Sequence, residues 1–211
     1  MNSSGAGNND YGWFPGGQTP APAVLSSIER IDYANDTADA VVKGQMNVNR
    51  SSHATTGNAD FGYSGAGSSP GAISSVERTT YANDTGTAIY KGPVSVVKTY
   101  PGATGNSAFG YFGGGTPNGS TVDRVDYSND TTNASTRGPL TDARYVLSAV
   151  SGQEDALPQT SLYQKGDIGS YNTGYWIGGF YPAMESTVDR LDYASDTATA
   201  STRGPLSYSI A

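Results

Sequence analysis

A ten-residue pattern occurs four times in this chain, and it restricts the fold more than any other feature of the sequence. Ile28-Glu29-Arg30-Ile31-Asp32-Tyr33-Ala34-Asn35-Asp36-Thr37 is matched by residues 76–85, 122–131 and 188–197. Each copy reads apolar, acid, Arg, any, Asp or Thr, Tyr, small, Asn or Ser, Asp, Thr. Ten residues after each Tyr comes a base followed by Gly: Lys43-Gly44, Lys91-Gly92, Arg137-Gly138 and Arg203-Gly204. An aromatic-glycine segment precedes each Arg, at 13–17, 63–67, 111–115 and 176–179. A repeated unit of this size cannot bury an apolar face alone, so the units must stack on one another.

The repeated arginines lie 48, 46 and 66 residues apart, so one period carries an insertion of about twenty residues. Within a period the apolar residues alternate over short runs. Gly, Asn, Asp and Pro punctuate them every eight to twelve residues, which predicts three or four short antiparallel strands per period. In order these are an inner strand such as 144–150, a Gly-rich strand, the Arg-Asp-Tyr strand, and a Thr/Ala/Ser strand ending at Arg-Gly-Pro. With 28 Gly and 11 Pro in 211 residues, helical bundles and coiled coils are excluded. The expected organisation is one repeat domain over 1–211, with repeats at 7–56, 57–104, 105–170 (insertion 151–173) and 171–211, and an N-terminal arm at 1–6.

A net charge of -7 gives no electrostatic footprint for a phosphate backbone, so no nucleic-acid partner is expected. No apolar run is long enough to span a membrane, and the first residues lack the basic and apolar regions of an export signal. With no Cys, thiol chemistry and disulfides are absent, and His53 is the one histidine.

These repeats resemble the kelch-type unit of β-propellers, in which a strand ends in Gly-Gly, an apolar-acidic strand ends in Tyr, and a turn leads to a fourth strand. The resemblance covers almost the whole chain. The sequence departs from that pattern after the turn, where Ala40, Ala88, Ala134 and Ala200 replace the expected tryptophan. The variant Tyr111-Phe112-Gly113-Gly114-Gly115, then 120–131, then Arg137-Gly138-Pro139-Leu140, is similar to repeats in structural proteins of marine bacteriophages. The resemblance implies an all-β, four-bladed kelch-like propeller of antiparallel sheets. Closure is expected by pairing of the C-terminal strand 208–211 beside the Trp13 strand of the same chain, giving a four-bladed ring, or, as the alternative, of another chain, giving a larger ring or a filament. Joined end to end, the termini match within one residue the 17-residue step from Gly92 to Phe109.

The repeated residues admit two readings each. Arg30, Arg78, Arg124 and Arg190 can tie blades together by forking onto carboxylates, or form a ligand-binding ring. Asp36, Asp84, Asp130 and Asp196, in the turns that follow Tyr33, Tyr81, Tyr127 and Tyr193, can close tight turns or supply oxygens to calcium. The glycine triplets lack the Lys-Ser/Thr partner of a phosphate loop, and close strand packing accounts for them better. His53 has no counterpart in the other repeats, and Glu154-Asp155 is an adjacent acid pair of the kind usually solvated, so no catalysis, cofactor or metal site is expected.

The insertion breaks the symmetry, and repeat proteins tend to place recognition in such segments. Tyr163, Gln164, Lys165, Tyr171 and Trp176 combine flat aromatic faces with polar groups suited to a glycan or another protein. The expected function is a non-enzymatic structural or adhesive module in the virion or extracellular space, as a phage tail, fibre or decoration protein, with other subunits or cell-surface glycans as partners. A subunit of an extracellular filament is the alternative, and a carbohydrate-active propeller enzyme the second.

Overall fold

A computed structural model describes residues 4–20, 23–117, 119–151 and 172–210. Alternation of small, aromatic and β-branched residues between Gly and Asx turns gives, among the described residues, sixteen short strands in four antiparallel sheets of four, each ordered as in the sequence. Sheet 1 holds β1 (Ala6–Gly7), β2 (Tyr11–Pro15), β3 (Ser27–Asp32) and β4 (Val41–Gln45). Sheet 2 holds β5 (Ala54–Gly57), β6 (Phe61–Gly65), β7 (Val76–Thr80) and β8 (Ile89–Lys91). Sheet 3 holds β9 (Gly102–Gly105), β10 (Phe109–Gly113), β11 (Val122–Asp126) and β12 (Ser135–Arg137). Sheet 4 holds β13 (Ser148–Ser151), β14 (Thr173–Ile177), β15 (Val188–Asp192) and β16 (Ser201–Arg203). Four such sheets are consistent with a four-bladed propeller.

The register repeats from sheet to sheet. Trp13, Tyr63, Tyr111 and Tyr175 stand opposite Arg30, Arg78, Arg124 and Arg190. Each Arg-Asp-Tyr strand runs into a short 3-10 turn beginning at its Tyr. In three of the four turns the preceding Asp caps the turn: the Oδ1 of Asp32, Asp126 and Asp192 accepts the N–H two residues on. Thr80, in the Asp position of sheet 2, makes no such cap. Both faces of β7 and β11 are largely buried, because sheets 2 and 3 have a neighbour on each side. The apolar interior is three clusters, one at each contact between consecutive sheets: Trp13, Ile28, Met46, Tyr81 and Ala88 between 1 and 2; Tyr63, Val76, Val94 and Phe112 among those between 2 and 3; Tyr111, Leu140, Leu147, Trp176 and Leu191 among those between 3 and 4.

Four placements differ from the sequence expectation. The inner strand of sheet 4 covers 148–151 rather than starting at Arg144, because Val146 takes a positive φ of 54° and Arg144 bonds back to Gly119. The inner strand of sheet 1 is made by Ala6 and Gly7, with Ala6 opposite Trp13, so residue 6 belongs to the sheet and not to an arm. The place beside Trp13 is therefore filled, and the C-terminal segment pairs elsewhere: Ile210 donates to the Glu185 carbonyl and accepts from the Gly179 N–H, within sheet 4. Counted by sheets, the insertion falls in the fourth unit, between β13 and β14.

Candidate functional site: the seams between sheets

The repeated charged residues meet where consecutive sheets pack. At the first seam Arg30 Nη1 lies 2.8 Å from Asp84 Oδ2, Lys43 Nζ lies 3.5 Å from Oδ1, and Trp13 Nε1 donates to Oδ2 at 3.1 Å. The second seam repeats this around Asp130, with Arg78 at 2.8 Å, Lys91 at 2.9 Å and the Tyr63 hydroxyl at 2.9 Å. At the third, Asp196 takes Arg124 at 2.7 Å, Arg137 Nε at 3.2 Å and the Tyr111 hydroxyl at 2.9 Å. Aromatic stacking accompanies each cluster, in the pairs Trp13–Tyr81, Tyr63–Tyr127 and Tyr111–Tyr193, with ring centroids 3.8, 4.5 and 4.7 Å apart. Each seam Arg also lies over an aromatic ring of its own sheet: Tyr11, Phe61 and Phe109.

Thus the Arg of one sheet pairs with the turn Asp of the next, and not with its own strand face, where Asp32 and Asp126 cap their own turns and sheet 2 has Thr80. Asp130 sits below the usual carboxylate range. Burial, the largest influence, pushes it up, but hydrogen bonds from Lys91 and Tyr63 and the charges of Arg78 and Lys91 outweigh it. Burial first and the neighbouring carboxylate second hold the Tyr63 and Tyr111 hydroxyls well above the ordinary phenol range.

Close backbone contact completes each seam. The Gly92 N–H donates to the Asp130 carbonyl at 2.8 Å, and a Cβ at Gly92 would overlap the Thr132 carbonyl. Gly138 stands in the same relation to Asp196 and Ala198. The base-Gly pair of the repeat is therefore a cation for the next carboxylate followed by a residue that lets two backbones touch.

A second layer of charge was not read from the sequence. Arg50, Lys98 and Arg144 are fully buried and pair with Glu77, Asp123 and Asp189 of the following sheet at 2.6, 2.9 and 2.9 Å. Arg50 Nη1 also donates to the Ser64, Ala66 and Ser75 carbonyls. Burial lowers Arg50 and Lys98 from their ordinary values, and the partner carboxylates partly offset it. The signal was present: each of these cations comes six residues after the Gly of the base-Gly pair, and each acid immediately precedes a repeated Arg. The position six after Gly204 is Ile210, so the fourth copy breaks the pattern.

Of the insertion candidates, Tyr163, Gln164, Lys165 and Tyr171 lie outside the described residues, as do Glu154 and Asp155. Trp176 is corrected from a recognition residue to a core residue. Strand alternation turns it toward sheet 3, where it is fully buried and its Nε1 donates to the Gly102 carbonyl at 3.4 Å. His53 is also buried; burial first and the Arg50 charge second push its imidazole down to about 3, so it is neutral near pH 7. Among the described residues no three His, Cys, Asp or Glu side chains are grouped as they would be to hold a metal ion.

Sheet 1 has a cavity of about 450 Å³ on the side away from sheet 2, lined by Phe14, Gly16, Leu25, Glu29, Ile31 and Ala40. Phe14, Gly16 and Glu29 correspond in the repeat to Ser64, Ala66 and Glu77, which enclose Arg50 in sheet 2. No protein-family model matches the chain, and no curated protein is significantly similar to it.

Proposed function

We propose that the chain is a non-catalytic structural or adhesive module of the kelch-like propeller type, working as an accessory component of a phage particle, in its tail, fibre or surface decoration. The observation that carries this reading is the use of the repeated charges on one another. Six residues of the motif and its flanks converge at every seam, so the arginines, bases and acids that might have formed a ligand ring serve to hold sheet to sheet. A recognition surface for glycans or other subunits then falls to segments outside the repeat, the 151–173 insertion first. The filament reading is favoured by a separate observation: among the described residues, the Arg190 and Arg203 side of sheet 4 and the Asp36 and Glu29 side of sheet 1 make no ion pair.

Gold-labelled antibody against the chain, viewed by electron microscopy on material from the source culture, tests the assignment. Label on phage particles is the expected result. Label along cell-attached threads would transfer the reading to the filament, and hydrolysis of a polysaccharide by the purified chain would overturn the non-catalytic reading.

A further inference from the structure

The three seams use one set of cations and one set of acids, and among the described residues a fourth copy of each is present with no ion pair between them. On sheet 4, Arg190 and Arg203 occupy the positions of Arg124 and Arg137, yet neither makes an ion pair among the described residues. On sheet 1, Asp36 and Glu29, the counterparts of Asp196 and Asp189, are exposed and equally without an ion pair. Among the described residues no ion pair or backbone hydrogen bond joins sheet 4 to sheet 1.

Packing gives the same picture as charge. A Cβ built on Gly92 or Gly138 overlaps the next sheet, whereas one on Gly204 meets no described residue within 4 Å. Phe14 is 41% exposed, while its counterparts Phe112 and Trp176 are completely buried under the preceding sheet. The backbone beyond β16 already has the seam conformation: Leu206 donates to the Ser186 carbonyl as Leu140 does to that of Ser120, and Ile210 bonds as Arg144 does. Ser207 then stands where Thr141 donates both its N–H and its hydroxyl to Asp189.

We propose that the occupant of these two faces is a second copy of this chain, sheet 4 of one molecule docking on sheet 1 of the next. Arg190, Arg203 and the Tyr175 hydroxyl of the first copy converge on Asp36 of the second. The Ser207 N–H and hydroxyl cap Glu29, Gly204 lies on the backbone of the 36–38 turn, and the Ala40 N–H reaches the Pro205 carbonyl. Ile210 replaces the buried cation of the other seams and enters the cavity beside Phe14, Leu25 and Ile31, an apolar residue meeting an apolar rim. The contact is heterologous, because the two faces differ, so it propagates into a ring or a head-to-tail filament. The inference rests on the structural-module reading and names the partner for it.

Light scattering on the 211-residue chain over a wide concentration range tests it. The expected mass rises with concentration in steps of 21.8 kDa. Gly204→Leu blocks the sheet 4 face without touching the chain's own fold, and Asp36→Lys blocks the sheet 1 face. Each variant alone stays monomeric, and a mixture of the two forms a dimer and nothing larger, since only one intact pair of faces remains. A wild-type monomer at every concentration would overturn the proposal. So would assembly that survives Gly204→Leu, which would locate the contact elsewhere. If Gly204→Leu lowers the melting temperature of a wild-type monomer, the same faces close within one chain and the second copy is refuted. None of these results bears on polysaccharide hydrolysis or on the location of the protein in particles, so the two proposals fail separately.

Discussion

Replacing Lys98 with Met isolates the contribution of one buried seam charge. Lys98 and Asp123 are both fully buried, with Nζ 2.9 Å from the carboxylate as an ion pair and a hydrogen bond from Nζ to the Thr121 carbonyl at 3.3 Å. Methionine fills nearly the same volume, so the change removes the charge and the hydrogen bond while leaving little cavity. Asp123 then keeps the Ser95 N–H at 3.3 Å as its contact from the linking segment, inside a space from which water is excluded. Removing one member of such a pair costs about 3–5 kcal/mol, a large part of the ~5–15 kcal/mol that holds an ordinary domain together. Adding Asp123→Leu removes the orphaned carboxylate, and the double variant should recover most of the loss, because an apolar pair of similar volume is often as stable as the ion pair. The assay is equilibrium urea unfolding of wild type, both single variants and the double variant, read as a coupling energy. Glu29→Gln is the control; it alters the corresponding acid of sheet 1, which is exposed, and should change stability by less than about 0.5 kcal/mol. A loss below about 1 kcal/mol for Lys98→Met would refute the view that these pairs lock one sheet to the next.

Arg124→Ala should cost about 1–2 kcal/mol, less than at Lys98, because Arg137 and the Tyr111 hydroxyl still hold Asp196. Arg190→Ala, with no ion pair to lose among the described residues, should stay within about 0.5 kcal/mol by thermal melting at a concentration where the chain is monomeric. Gly92→Ala should destabilise by more than about 2 kcal/mol through overlap with the Thr132 carbonyl, whereas Gly204→Ala, which meets no described residue, should be neutral in the same measurement. The chain should be acid-labile through His53. Its folded value of about 3 lies below the unfolded value near 6.5, so the unfolded state takes up the proton first as pH falls. That stability is complete above the unfolded value and declines by about 1.4 kcal/mol per pH unit toward the folded one. His53→Gln should flatten unfolding free energy against pH between about 6 and 4, whatever it does to stability at neutral pH.

The Arg-Asp-Tyr strands were legible because four copies of one period-two pattern end in the same Asx turn, and residues 28–32, 76–80, 122–126 and 188–192 all form strands in one register. What could not be read locally was which carboxylate each arginine meets. Alternation places Arg124 with Asp126, but the side chain crosses to Asp196, 72 residues on, a pairing created by stacking alone. The buried cations were missed for a related reason: Arg50, Lys98 and Arg144 lie in linking segments where their neighbours vary, so no local motif surrounds them. Ala6-Gly7 is too short and too small to announce a strand, and it forms one because Trp13 and Gly12 offer an open edge. Trp176 looked like a recognition residue because aromatic side chains suit both cores and binding faces, and only its register in β14 distinguishes the two.

Each seam has its cations on the earlier sheet and its acid on the later one, so the chain has a direction that its net charge does not reveal. Every sheet is at once a lock for the unit before it and a key for the unit after it. Stability in such an array accumulates with nearest-neighbour contacts. Whole units could therefore be gained or lost by duplication or deletion in the gene without inventing a new contact, provided the cut falls at equivalent points, as between Gly44 and Gly92. A cut at non-equivalent points would part a cation from the acid it meets in the next unit and leave one seam incomplete.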